Sequence, residues 1–271
     1  MDLRLTFNED VANYDKLRPT YVKELFDDII AYSRLNSEKS ALEIGIGTGQ
    51  ATQPFLDTGC KLTAVELGAD MARFAKENFS KFDNFDVING DFETVDLENN
   101  HYDLIYSATA FHWIPQEAGY TKVFNLLKSG GALALFWNHP SYGGDAFYAA
   151  MQEVYSRYFP ASKVHRFSEK DCAEIVGTII KYGFVDIGYK LYHQTRSFSA
   201  LQYMSLLNTY SDHRATEEKT RVMVETELSN VINHFGGKIE IQDTIDLYLA
   251  RKPNAKFSPG KYIKREYGDS R

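Results

Sequence analysis

Cysteine is scarce in this chain: only Cys60 and Cys172 occur, far apart and without metal-type spacing. That excludes a disulfide framework and leaves no metal site to propose. Long apolar runs are missing as well; no stretch approaches the roughly 20 residues that span a bilayer. The first ten residues, MDLRLTFNED, lack the apolar segment of a secretory signal. These absences predict a soluble, cytoplasmic protein with no membrane partner. Excess positive charge is also absent, because 30 Lys and Arg against 37 Asp and Glu leave a formal net charge of -7. A chain of that sign is poorly suited to a large nucleic-acid footprint, so no nucleic-acid partner is expected. With 44% hydrophobic and 25% charged residues the composition is that of a folded globular protein, which rules out wholesale disorder. No internal repeat and no flexible linker divides the chain.

What is present is organised around residues 42–50, LEIGIGTGQ. Ala41, Leu42, Glu43 and Ile44 make a short apolar strand. Gly45, Gly47 and Gly49 then follow at alternate positions, and a helix is expected from about Ala51, with Pro54 tolerated in its first turn. Glycines at this density let the main chain turn sharply and leave room for a ligand against bare backbone. The dinucleotide fingerprint G-x-G-x-x-G is not met, since Gln50 stands where its third glycine belongs. Further strands are predicted at 61–65, ending in Glu66, and at 85–89, 102–108, about 132–136 and 184–192. A last alternating strand runs through Ile239, Ile241, Ile245, Leu247 and Leu249. Helical patterns fill the intervals, giving an α/β alternation. Ligands of open α/β sheets bind outside the carboxyl ends of the strands. Glu66 stands at such an end, where a carboxylate can accept hydrogen bonds from ribose hydroxyls, with Leu67 beside it. His112 and His139 also follow strand ends, which makes them candidate general bases.

An acidic residue directly before a G-x-G-x-G loop, here Glu43 with Gly45, Gly47 and Gly49, resembles motif I of the class I S-adenosylmethionine-dependent methyltransferases. Gly90-Asp91-Phe92 resembles their adenine pocket, and YDLIYSATAFHWI, containing Ser107 and Ala108, resembles motif IV beside the methionine moiety. YDKLRP resembles a segment that precedes the core in small-molecule members, where a Tyr and an Arg (here Tyr14 and Arg18) fold over the cofactor. The branch it looks most like includes trans-aconitate methyltransferase.

The resemblance implies a Rossmann-like, seven-stranded, mostly parallel sheet with helices on both faces, an antiparallel last strand and a helical cap. It implies one domain over residues 1–252, with a core of about 36–140 plus 184–252. Cap elements are expected at about 141–182 and 199–236. A basic tail, 253–271, is expected to be poorly ordered. The implied cofactor is S-adenosylmethionine and the implied partner a small-molecule methyl acceptor. Tyr14, Glu43, Gly45, Gly47, Gly49, Glu66, Leu67, Asp91, Phe92, Ser107 and Ala108 are the cofactor-binding candidates. His112, His139 and Arg18 are the catalytic ones, Arg18 as charge partner for a carboxylate. The competing expectations are a nicotinamide oxidoreductase, which would share Glu66 and a glycine loop, and a non-catalytic regulatory protein that binds the same cofactor.

Overall fold

Strands buried on both faces need near-continuous apolar sequence, and SALEI, KLTAVE and YDLIYSA supply it. In the computed structural model, which describes residue 4 and residues 11–142, 144–159 and 167–254, these become β1 (Ser40–Ile44), β2 (Lys61–Glu66) and β4 (Tyr102–Ala108). β3 is Phe85–Asn89, β5 Leu127–Tyr142, β6 Val185–Ser199 and β7 Lys238–Arg251. They form one seven-stranded sheet in the order β3-β2-β1-β4-β5-β7-β6. The pairs among the first five in that order are parallel. β7 runs against β5, since Gly130 N–H meets Lys252 O and Trp137 N–H meets Asp246. It runs against β6 as well, with Thr244 beside His193 and Arg251 beside Asp186. The Rossmann-like expectation, antiparallel last strand included, is met.

The chain divides into two compact units. One comprises residues 20–138, 168–192 and 245–271. Its helices are α2 (Lys23–Ser33), α3 (Gln53–Leu56), α4 (Ala69–Asn78), α5 (Gln116–Leu126) and α7 (Glu169–Lys181). On one sheet face, Leu25, Phe26 and Ile29 of α2 pack with Phe55 of α3, Tyr106 of β4 and Phe136 of β5. Each such fully buried side chain contributes about 2 kcal/mol through the apolar area it removes from water. Further along the same face, Ala64 and Val87 pack with Ile46 against Ala72 and Ala75 of α4.

The second unit comprises residues 1–19, 139–167 and 193–244. It holds α1 (Val11–Leu17), α6 (Asp145–Tyr158), α8 (Ala200–Leu207), α9 (Ser211–Ala215) and α10 (Glu218–His234). Met151, Tyr203, Leu206, Leu228 and Ile232 form its core with Ile239 and Ile241. A polar centre accompanies that core: the Tyr142 and Tyr203 hydroxyls lie 2.8 Å apart. Arg196 also holds the fully buried Asp243 through two nitrogens.

Several boundaries differ from the sequence reading. The helix after the glycine loop starts at Gln53 rather than Ala51, because residues 49–52 are spent on turns. The pattern at Val123, Leu126 and Leu127 predicts a helix stopped by Gly130 and Gly131, but α5 ends at Leu126, since β4 already pairs Tyr102 with Leu127. The two glycines sit instead in an irregularity of β5, where Leu104 next pairs with Ala132. α7, expected among the cap elements, belongs to the sheet-bearing unit. Residues 255–271, most of the expected tail, lie outside the described residues.

Candidate active site

Three glycines turn the chain out of β1 with positive φ: Gly45 at 71°, Gly47 at 59° and Gly49 at 100°. Two of them are required by neighbours as well as by backbone. A Cβ on Gly45 would stand 2.5 Å from Ala110 Cβ, and one on Gly49 would stand 2.2 Å from the Phe79 ring. The glycine loop is therefore pressed against the loop that follows β4 and against the end of α4.

Glu66, closing β2, organises the rim. One carboxylate oxygen accepts the Gly47 N–H and the other the Gly68 N–H, both at 2.9 Å. Burial raises its pKa, and the backbone donors oppose that rise. Each oxygen keeps a further lone pair, so the carboxylate can accept two more donors, as a pair of ribose hydroxyls would supply. The chemistry of this acceptor pair fits the ribose of a nucleoside. Asn89, at the end of β3, donates to the carbonyls of Glu66 and Leu67 and fixes that corner. Asp91 begins a turn, its Oδ1 accepting the Glu93 N–H at 3.0 Å. Phe92 points inward and is 5% exposed, with the Lys122 ammonium 5.1 Å from its ring centre.

Glu43 does not line a surface. Its side chain is enclosed at 1% exposure, and one oxygen accepts from Thr52 Oγ1 at 2.7 Å and from the Tyr106 hydroxyl at 2.8 Å. Desolvation pushes its pKa up to about 7, against the pull of both hydroxyls. It braces the loop from beneath. Ser107, also expected at the ligand, is fully buried and donates to Ile44 O at 2.8 Å, stitching β4 to β1. Ala108 is half-buried at the strand end.

Beyond β4 the backbone does something the sequence does not announce. Thr109 adopts φ 52°, a left-handed conformation that a β-branched residue rarely takes. Its N–H reaches Phe136 O at 2.8 Å and its hydroxyl lies 2.8 Å from that of Tyr21. A single 3-10 turn, Phe111–Trp113, then exposes His112. The indole Nε1–H of Trp137 donates to His112 Nδ1 at 3.1 Å.

The remaining candidates lie in the helical unit. Arg18 is held between the rings of Tyr14 and Tyr210, 4.7 and 4.4 Å from their centres, and donates to Thr209 O. His139 stacks on Phe167 at 4.0 Å. The structure thus gathers Gly45, Gly47, Gly49, Glu66, Leu67, Asp91 and His112 at the strand ends of one unit. Tyr14, Arg18 and His139 belong to the other. Sequence reasoning missed Asn89, Thr109, Trp137 and Tyr21. Of these only Asn89, last in a strand beside Gly90, carries a local signal.

Known proteins agree with this geometry. Residues 42–135 match the model of a methyltransferase domain family. An uncharacterised methyltransferase of Schizosaccharomyces pombe is 24% identical over 229 residues, covering 84% of this chain and 87% of its own. Among solved structures, phosphoethanolamine N-methyltransferase 2 of Haemonchus contortus, bound to phosphomonomethylethanolamine and S-adenosylhomocysteine, aligns with a TM-score of 0.55. It is 14% identical and covers 94% of this chain and 61% of its own. The [4+2]-cyclase SpnF aligns with a TM-score of 0.53 at 14% identity, covering 94% of each chain. One fold thus carries differently named activities, as shared folds do. What decides the assignment is the matched segment itself, which contains the glycine loop, Glu66 and the β4 exit. Residues 42–135 of this chain match a methyltransferase domain, and the relatives it resembles over most of its length are named as methyltransferases.

Proposed function

We propose that this chain transfers the methyl group of S-adenosylmethionine to an oxygen, nitrogen or carboxylate of a small molecule. The observation that carries the reading is the Glu66 carboxylate, fastened by the Gly47 and Gly68 N–H groups. This orientation leaves acceptor capacity for ribose. Asp91 would accept from the adenine amine, and the glycine loop would lie along the methionine part. When bound, the cofactor supplies a methyl group made electrophilic by the positive sulfonium. The chain's own work is then to position the acceptor in line and exclude water. Glu43 contributes indirectly, by holding Thr52 and Tyr106 under the loop. The small-molecule acceptor is supported by the net charge of -7, which disfavours nucleic acid. The phosphomonomethylethanolamine named with the Haemonchus structure is of the same size class. Arg18 is proposed as the partner of a carboxylate acceptor and His139 as a base. Each is to be checked separately by Arg18→Met and His139→Ala turnover.

Titration calorimetry with S-adenosylmethionine and S-adenosylhomocysteine tests the proposal, with Glu66→Ala as the variant. Loss of a charge-assisted pair of hydrogen bonds should weaken binding by at least about tenfold. A labelled-methyl screen over small acids, phenols and amines, with RNA and protein as controls, tests the acceptor. Tighter binding of NAD than of S-adenosylmethionine, or transfer to macromolecules alone, would overturn it.

A further inference from the structure

Trp137, inside β5, belongs to a relay that the methyl-transfer reading does not use. The carboxylate of Asp246, on β7, is fully buried and accepts from the Trp137 main-chain N–H at 3.1 Å and from the Tyr248 hydroxyl at 2.7 Å. The Tyr248 ring meets the Trp137 indole edge-on at 5.8 Å. Trp137 is therefore fixed at its backbone and at its ring, and its indole N–H reaches the Nδ1 of His112. An indole nitrogen only donates. Nδ1 must then be the accepting nitrogen, and a neutral imidazole that accepts at Nδ1 carries its hydrogen on Nε2. Protonating Nδ1 would break the contact with Trp137.

We propose that Trp137, anchored by Asp246 and Tyr248, is a positioning residue that fixes His112 in the Nε2–H tautomer, so that His112 serves the methyl acceptor as a hydrogen-bond donor and not as a base. A donor at that place suits an acceptor atom that has no proton to lose on methylation, as a carboxylate oxygen has none, whereas an alcohol or ammonium needs a base to take its proton. The substrate class indicated is a small carboxylic acid. The tautomer stands on the geometry alone, while the substrate class rests on the methyl-transfer proposal.

The test is nitrogen-15 NMR of the histidine rings in the full chain near neutral pH, with His112 identified by its loss in His112→Gln. The expected spectrum has a pyridine-like Nδ1 and a pyrrole-like Nε2. Trp137→Phe keeps a ring against Tyr248 and removes only the donor, and should change the tautomer ratio by about two- to tenfold. An Nδ1–H or imidazolium signature in the wild type overturns the proposal, and that spectrum decides even where Trp137→Phe fails to fold. A folded Trp137→Phe with an unchanged ratio also overturns it. Titrating S-adenosylmethionine into the same labelled sample reports cofactor binding separately, so failure of the relay and failure of the methyltransferase reading are distinguishable. For the substrate class, methylation of small carboxylates that declines in His112→Gln supports the proposal. Methylation of alcohols or amines with a pH profile lost in that variant overturns it.

Discussion

Glu43 should make this protein less stable as pH rises through the neutral range. The carboxyl is enclosed, and its folded pKa of about 7 stands above its ordinary value of 4.5. Between those values the unfolded chain releases the proton and the folded chain keeps it, so the folded state binds more protons. Stability contributed by this group is intact below the lower value and is lost as pH climbs to the upper one. The gap of 7 − 4.5, at 1.36 kcal/mol per unit, sets the total near 3 kcal/mol. About 2 kcal/mol of it falls between pH 5.5 and 7.5. Glu43→Gln removes the titration and retains an acceptor for Thr52 or Tyr106. Urea unfolding of both proteins across pH 5.5 to 7.5 isolates the effect, because titrating groups that do not interact with Glu43 cancel in the difference. The variant's stability relative to wild type should climb by about 2 kcal/mol over that window, whatever fixed offset its hydrogen bonds introduce. A difference that stays flat with pH would show that Glu43 is ionised in the folded protein and that the enclosure argument is wrong.

Gly49→Ala combines φ 100° with a Cβ 2.2 Å from the Phe79 ring. It should cost about 2–3 kcal/mol and lower the melting temperature by roughly 5–10 °C. A melt within about a degree of wild type would refute the crowding. In the helical unit, Asp243 is 0% and Arg196 15% exposed at the side chain. Asp243→Ala strands a buried guanidinium and should cost about 3–5 kcal/mol, whereas Asp243→Leu with Arg196→Met should cost distinctly less than the two single changes summed. Additive losses in urea unfolding would mean the pair is not coupled.

Features decided by neighbours in sequence were legible. Ser168 and Asp171 form the capping box their spacing predicts, with the Ser168 N–H donating to Asp171 Oδ2 at 2.7 Å. Gly183, Gly236 and Gly237 end their helices in the positive φ that glycine alone takes easily. The glycine loop and Glu66 belong to the same class, because consecutive strand ends of a parallel sheet bring them to one edge. Features decided across the sheet were not legible. β1 is buried on both faces, so alternation could not tell that Glu43 turns toward Tyr106. β5 and β6 were expected to end near Phe136 and Tyr192, yet they run to Tyr142 and Ser199. Their extensions are polar enough to read as loop, and only the contacts with β7 reveal them, Ser141 with Gln242 and Arg196 with Asp243.

Thr109 shows what kind of information the sequence withholds. A left-handed conformation at a β-branched residue costs of order 1 kcal/mol or more, and glycine would avoid that cost. Glycine would also lose the hydroxyl that meets Tyr21, whose ring stands edge-on to Phe136 at 4.8 Å. Threonine therefore exchanges local strain for a tie among three elements: the approach to α2, Phe136 within β5 and the exit of β4. That tie fixes where the chain turns into the segment bearing His112, three residues on. A catalytic or donor group must be held to within a fraction of an ångström to be useful, and a strained residue tied to Phe136 and Tyr21 does so better than a relaxed glycine free to choose between conformations. The strain at Thr109 accordingly marks where the chain is held before the turn that bears His112. It is unreadable from the sequence because each of its compensations lies at least 27 positions away or on another strand.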